Sequence, residues 1–243
     1  MTAGRVRLDQ LLVDLGLAES RERAQALVMA GYVLIDGQKA RKSGQSVKCD
    51  CRVALTGRLP FVSRGGLKLQ GALDRFRIEV SGRICVDIGS STGGFTDCLL
   101  QRGAARVYAI DVGAGQLDWK LRNDPRVVVK ESVNARYLTP EEIGEPADLV
   151  TCDVSFISLM LILPAAVRLL KKAGEMILLV KPQFEVGREH VGKGGIVRDP
   201  ALHAAVCARL EDAVRACGFR TAIMESPILG AEGNREFLLY GSH

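Results

Sequence analysis

The stretch Asp87–Phe95, DIGSSTGGF, limits what this chain can fold into more than any other. Ile84, Val86 and Ile88 lead into it on alternate positions, the pattern of a buried strand that turns on glycines and enters a helix. Gly89, Gly93 and Gly94 carry no Cβ, so a ligand could press against the backbone there. Further on, Val107–Val112 (VYAIDV) predicts a second apolar strand with Asp111 at its tip, where a carboxylate suits the two hydroxyls of a ribose. The glycine spacing is G-x-x-x-G-G, not the G-x-G-x-x-G that brings a helix N-terminus onto a pyrophosphate. A nucleoside without phosphates fits better, and S-adenosylmethionine is the commonest such cofactor on this kind of fold. The bland alternative is a glycine-rich turn in an α/β domain with no ligand.

Apolar runs predict strands at 84–88, 107–111, 127–130, 148–152, 176–180, 221–225 and 236–240, with helical patterns between most of them. That alternation implies an α/β domain with a Rossmann-like, largely parallel sheet. Ligands in such sheets lie beyond the carboxyl ends of the strands. Asp153 closes the fourth strand and Lys181 the fifth, while Glu236 opens the last. If that last strand is antiparallel, Glu236 shares the edge with the other two. Lys68, in SRGGLKL, sits on a helix able to fold over the same edge. Taken singly, a lysine after a strand is usually solvated and an acid there often caps a helix. Two lysines and two acids beside one glycine turn form a candidate catalytic set.

The distribution of charge marks a second, smaller unit. Residues 1–58 hold ten Lys/Arg against six Asp/Glu, so this segment carries four of the chain's five net positive charges. Leu8, Leu11, Leu12 and Leu15 repeat at helical spacing up to Gly16. Ser20 is a candidate N-cap for a second helix with Ala24, Leu27 and Val28 inward, ending at Gly31. Tyr32–Ile35, the turn Asp36-Gly37 and a return strand then predict a hairpin. The result is a small α+β domain over 1–57. Arg5, Arg7, Arg21, Arg23, Lys39, Arg41 and Lys42 could offer phosphates a positive face; a solvated basic face with no partner is the alternative. Gly57 and Pro60 punctuate a linker over 58–63, with Phe61 and Val62 expected to pack at the junction, and the larger domain follows over 64–243.

Composition excludes several classes. The seven cysteines form no pair-of-pairs pattern, which argues for a reducing compartment and against a structural zinc site. Three scattered histidines offer no ligand set, so no metal is expected. The opening MTAGRVR leads into no apolar stretch of the kind a signal peptide needs, and the greasiest helix, 159–170, contains Pro164 and Arg168 and is too short to span a bilayer. A cytoplasmic protein without membrane contacts is expected.

These motifs together resemble the TlyA (hemolysin A) family of rRNA 2′-O-methyltransferases, whose catalytic domain is of the FtsJ/RrmJ type. The leading segment is similar to the alpha-L RNA-binding motif. The resemblance runs the length of the chain through SRGGLKL (63–69), DIGSSTGGFTD (87–97), DVGAGQL (111–117), LRNDPRV (121–127), DVSFISL (153–159), VKPQFEVG (180–187) and NREF (234–237). It implies a Lys-Asp-Lys-Glu tetrad at Lys68, Asp153, Lys181 and Glu236. It also implies S-adenosylmethionine held by Asp87, Gly89, Ser90, Ser91, Thr92, Gly93, Gly94 and Phe95, with Asp111 on the ribose, Val112 against the adenine and Asn134 nearby. The implied partner is rRNA or a ribosomal subunit, met by a monomer. The implied target is a cytidine of the large subunit, with the small subunit left open as a further candidate.

The chemistry agrees with that implication. A ribose 2′-hydroxyl is a very weak acid and needs deprotonation and alignment to attack a methyl group. Lys181 is the expected general base, because neighbouring cations and burial favour a neutral lysine. Lys68 would steady the alkoxide, Asp153 would orient Lys181, and Glu236 would hold Lys68. The glycine-rich basic segment 185–199 could gate the substrate or be a plain flexible connection. Other readings fail on particular residues. Amine methylation calls for a proline-rich turn where DVSF stands, and cytosine C5 methylation needs a cysteine nucleophile, whereas Cys152 should point into the sheet. A cytolysin would need an amphipathic or spanning segment. A non-catalytic rRNA-binding or ribosome-assembly factor is the alternative from another class; it would ignore S-adenosylmethionine.

Overall fold

The computed structural model describes residues 4–230 and 233–243. The chain divides into two compact units, Met1–Arg64 and Gly65–His243.

In the first unit, β1 (Arg5–Arg7) leads directly into α1 (Leu8–Asp14), followed by α2 (Arg21–Met29). The Ser20 hydroxyl accepts the Arg23 N–H and starts α2 as expected. Leu8, Leu11 and Leu12 of α1 face Ala24, Leu27 and Val28 of α2 in one buried cluster. The hairpin pairs β2 (Val33–Ile35) with β3 (Gln38–Lys39) across Asp36-Gly37, both at positive φ (49° and 82°). Three strands escape sequence reading: β1, β4 (Ser46–Lys48), which pairs with it, and β5 (Val53–Leu55), paired with β2. At three residues each they are too short to display a period.

The second unit opens with α3 (Gly65–Phe76), then β6 (Ile84–Ile88), α4 (Gly94–Gln101), β7 (Arg106–Ile110), α5 (Trp119–Arg122), β8 (Val127–Lys130) and α6 (Pro140–Ile143). It continues with β9 (Ala147–Cys152), α7 (Leu159–Leu169), β10 (Leu170–Val180), α8 (Pro200–Ala216), β11 (Arg220–Glu225) and β12 (Phe237–Ser242). Seven strands form one sheet in the order β11-β12-β10-β9-β6-β7-β8. Every pairing is parallel except those of β12, which runs against both β10 and β11. Val180, the last residue of β10, stands opposite Phe237, the first of β12. Glu236 therefore emerges on the edge where β9 and β10 end. Val86, Ile88, Val150, Cys152, Leu178 and Val180 build the core with Leu159, Ile162 and Leu163 of α7. Burial on both faces explains why these strands read as apolar runs rather than alternations.

Candidate active site

The edge defined by the ends of β6, β7 and β9 holds a cleft of about 470 Å³. Its floor begins with Gly89, at φ +81°, where a Cβ would overlap the carbonyl oxygen of Asp153. Only glycine lets the first turn come that close to the end of β9. Asp111 stands at the tip of β7 with both carboxylate oxygens already oriented. Oδ2 accepts the Ser91 N–H (2.7 Å) and Oδ1 the Gly113 N–H (2.7 Å). A carboxylate has about four acceptor positions, so two remain for a diol. Ile110, Val112, Val133, Ile157 and Ile162 supply the apolar part of the lining, and Val112 is 74 % exposed with no protein partner covering it. A polar end able to take a ribose beside an apolar slot fits a nucleoside cofactor.

Of the residues expected to hold that cofactor, Gly89, Ser91, Asp111, Val112 and Asn134 line the cleft, while Asp87, Ser90, Thr92, Gly93, Gly94 and Phe95 do not. The second group shapes the turn. Gly93 takes φ +96° at the head of α4, packed where a side chain would meet Leu117 and Leu121, and Phe95 is buried. Asp87 is wholly buried; it accepts hydrogen bonds from Thr96 Oγ1 (2.7 Å) and Thr151 Oγ1 (3.1 Å). Burial pushes its carboxyl up to about 7, against the pull of those two donors. Asn134 caps the short turn after β8 by accepting the Arg136 N–H (3.2 Å). Gln116, Arg136, Ser155 and Phe156 also line the cleft and were not anticipated.

The four tetrad candidates form two ion pairs. Lys181 Nζ lies 2.5 Å from Asp153 Oδ1, and its directed hydrogen bond goes to Ser155 Oγ (2.9 Å). Lys68 Nζ lies 2.5 Å from Glu236 Oε2, with both side chains almost sealed from solvent (8 % and 2 % exposed). Gly230 makes room for the Glu236 carboxylate, which a Cβ there would strike. Asp153, Lys181 and Glu236 follow or precede β9, β10 and β12, which are consecutive in the sheet, with adjacent strands spaced about 4.8 Å apart. The two pairs thus stand on neighbouring strand tips, and Asp153 belongs to the cleft wall as well. Phe156, 91 % exposed and at φ +63°, offers its ring at the cleft with Phe184 5.1 Å away. An aromatic residue kept in this strained, exposed state is the kind of departure that marks functional loops. Cys152 is buried, and burial holds its thiol well above the ordinary range, which makes it a poor nucleophile.

The segment after Lys181 is neither formless nor a free strap. It has short helical turns at Pro182–Phe184 and Arg188–His190 and a bridge between Gly192 and Ile196. Asn234, in NREF, ties it down by accepting the Val197 N–H and donating to the Gly195 carbonyl.

In the first unit the basic residues divide into two groups. Arg7 and Arg21 bind the buried Asp9, whose carboxyl is held far below its usual range, chiefly by Arg7. Arg23 donates to the carbonyls of Phe61 and Val62, both at 2.6 Å, and Arg5 to Ser46. Among the described residues, Lys39, Arg41 and Lys42 are exposed and their side chains form no ion pair. In sequence all seven read as one phosphate-binding face; Arg5, Arg7, Arg21 and Arg23 also hold the unit together.

Comparison with known proteins finds two family matches along the chain. Residues 61–243 match the FtsJ-like methyltransferase family and residues 6–49 the S4 domain. The chain is 49% identical over 241 residues to the 16S/23S rRNA (cytidine-2′-O)-methyltransferase TlyA of Mycobacterium tuberculosis, covering 98% of this chain and 90% of that one. It is 42% identical to Hemolysin A of Brachyspira hyodysenteriae, with 97% and 99% covered. A solved Streptococcus thermophilus protein, provisionally named a hemolysin, superposes with a TM-score of 0.78 at 44% identity, over 100% of this chain and 89% of that one.

Proposed function

The chain belongs to the FtsJ-like methyltransferase family, and with that as premise we propose that it transfers a methyl group from S-adenosylmethionine to the ribose 2′-hydroxyl of an rRNA cytidine. The observation that carries this reading is the pair of lysine–carboxylate contacts on adjacent strand tips beside a nucleoside-shaped cleft. The name Hemolysin A of one relative does not redirect the reading, which rests on the charged pairs and the cleft; no helix among the described residues is long and apolar enough to cross a membrane.

The cofactor would supply a methyl group on a sulfonium, already a good electrophile. Asp111 would accept the ribose hydroxyls, and Val112 with its apolar neighbours would flank the adenine. Asp153, shared between cleft and ion pair, sets Lys181 at the boundary between cofactor and acceptor. Lys181 Nζ, in its neutral form, takes the 2′-hydroxyl proton as the oxygen attacks. Lys68 Nζ, fixed by Glu236, places positive charge where the alkoxide develops. The exposed Phe156 ring offers a face for an unstacked base, the usual way a single-stranded or flipped nucleotide is held.

The first unit would deliver this chemistry to its target. Lys39, Arg41 and Lys42 are the available cations for the RNA backbone, reading phosphate and shape rather than sequence. We assign the work to the cytoplasm, on rRNA or a ribosomal subunit, by a monomer, with a large-subunit cytidine as first target. The test is transfer of a labelled methyl from S-adenosylmethionine to purified rRNA and to both subunits, with 2′-O-methyl mapping of the product. A labelled cytidine ribose, lost in Lys181→Ala while S-adenosylhomocysteine still binds, is the expected result. No transfer to either form of substrate, or full transfer by Lys181→Ala, would remove the proposal.

A further inference from the structure

Lys181 and Asp153 sit on two separate loops, and their ion pair joins these loops at one end only. At the other end a buried carboxylate outside the tetrad closes them together. Glu185 follows Lys181 through the helical turn Pro182–Phe184, and its side chain is 1 % exposed. Its Oε1 accepts the Leu159 N–H (2.7 Å), and its Oε2 accepts the Ser158 hydroxyl (2.7 Å). Ser158 ends the loop that begins with Asp153 and carries Ser155 and Phe156, and its Oγ caps α7 by accepting the Met160 N–H. Arg209 of α8 fixes Glu185 from behind, donating to Oε2 (3.1 Å) and to the Glu185 carbonyl (2.8 Å).

We propose that Glu185 is a positioning residue for methyl transfer: it locks the Lys181 loop to the Asp153 loop and so fixes the distance between base, cleft wall and acceptor. The proposal rests on the catalytic reading above. Capping the first turn of α7 alone would need one acceptor for the Leu159 N–H. Glu185 instead spends a buried charge on three donors from two different elements, and such a charge is retained only where each donor is met. Glu185 itself lies on the Lys181 loop, and its side-chain bonds run to the end of the Asp153 loop and to α8. The geometry is that of a closed ring, with the ion pair on one side and the carboxylate clamp on the other. Opening the clamp would leave the two loops held only at their strand ends, by the Lys181–Asp153 pair, the Lys181–Ser155 bond and the Phe156–Phe184 ring contact.

The variant is Glu185→Gln, which keeps the volume but cannot receive all three donors. Single-turnover methyl transfer is measured per cofactor-binding site, counted by titration with S-adenosylhomocysteine. The rate should fall about 10- to 100-fold, as small misplacements of reacting groups do, while S-adenosylhomocysteine affinity changes by no more than about threefold. A purely structural role would lower the number of binding sites and leave the rate per site unchanged; that result overturns the proposal. Should Glu185→Gln fail to fold, Arg209→Gln gives the same test, since Arg209 is half-exposed and its loss frees the clamp only partly; a rate per site equal to wild type would again refute it. Wild-type protein without transfer activity would instead refute the catalytic reading itself, so the two failures are distinct.

Discussion

Replacing Lys68 by methionine keeps an unbranched side chain of similar length and removes only the ammonium. Glu236 is then left as a carboxylate 2 % exposed with its 2.5 Å partner gone. Deleting one member of a buried pair costs about 3–5 kcal/mol, most of it the desolvation of the survivor. At roughly 2–4 °C per kcal/mol for a unit of this size, the melting temperature should drop by about 6–20 °C. Adding Glu236→Gln to Lys68→Met removes the stranded charge, so most of that loss should return. The coupling between the two changes should exceed about 1 kcal/mol, as expected for groups in direct contact. Methyl transfer should stay absent in the double variant, because the positive charge is still missing from the site. Circular-dichroism melting and labelled-methyl transfer to rRNA, run on wild type, both single variants and the double, give the full cycle. Melting of Lys68→Met within about 2 °C of wild type would show that the pair is not buried as described. Wild-type transfer by the double variant would show that it is not catalytic.

Three further outcomes follow from other parts of the site. Gly89→Ala must accommodate a Cβ at φ +81° against the Asp153 carbonyl, so about 2–4 kcal/mol of stability and measurable S-adenosylhomocysteine binding should be lost; calorimetric binding at wild-type strength would contradict the close approach. Burial raises the Asp87 carboxyl from 3.8 to about 7, so the folded chain holds that proton more tightly than the unfolded one and stability falls as pH climbs between those values. Full ionisation costs roughly 4 kcal/mol, and Asp87→Asn should therefore melt closer to, or above, wild type at pH 8 than at pH 5; a difference independent of pH would refute the assignment. Phe156→Ala should leave melting and cofactor binding intact but reduce kcat/KM for rRNA about 10- to 100-fold, the worth of one base stacked on an aromatic ring; an unchanged kcat/KM would rule out base contact.

Much of the site could be read from the sequence because its residues lie at places where a parallel sheet makes position predictable. The glycine turn after β6, Asp111 after β7, Asp153 after β9 and Lys181 after β10 all follow apolar runs whose ends are visible in the chain. Glu236 shares the edge only because β12 is antiparallel, a condition the sequence leaves open. Partnerships were harder to see. Lys68 and Glu236 are 168 residues apart, and no local period relates them. Ser155 and Glu185 escape a sequence reading because a hydroxyl in a loop and an acid after a helical turn look solvated there; the approach of Lys181 gives Ser155 its role, and burial with Ser158 and Arg209 gives Glu185 its own. The arginines of the first unit erred in the other direction. Charge counting assigns them outward, whereas Asp9 and two linker carbonyls engage Arg7, Arg21 and Arg23 from within, and a buried acceptor cannot be inferred from net charge.

The antiparallel strand β12 has a consequence for biosynthesis. Although it follows every other strand in the chain, it lies inside the sheet, between β10 and β11. Until it is made, β10 and β11 face each other across an empty lane, and Glu236 has no strand to carry it to Lys68. Sheet closure and assembly of the charged quartet thus both wait for β12. Chains cut before β12 would carry the first unit beside an open sheet, with Lys68 left without its carboxylate.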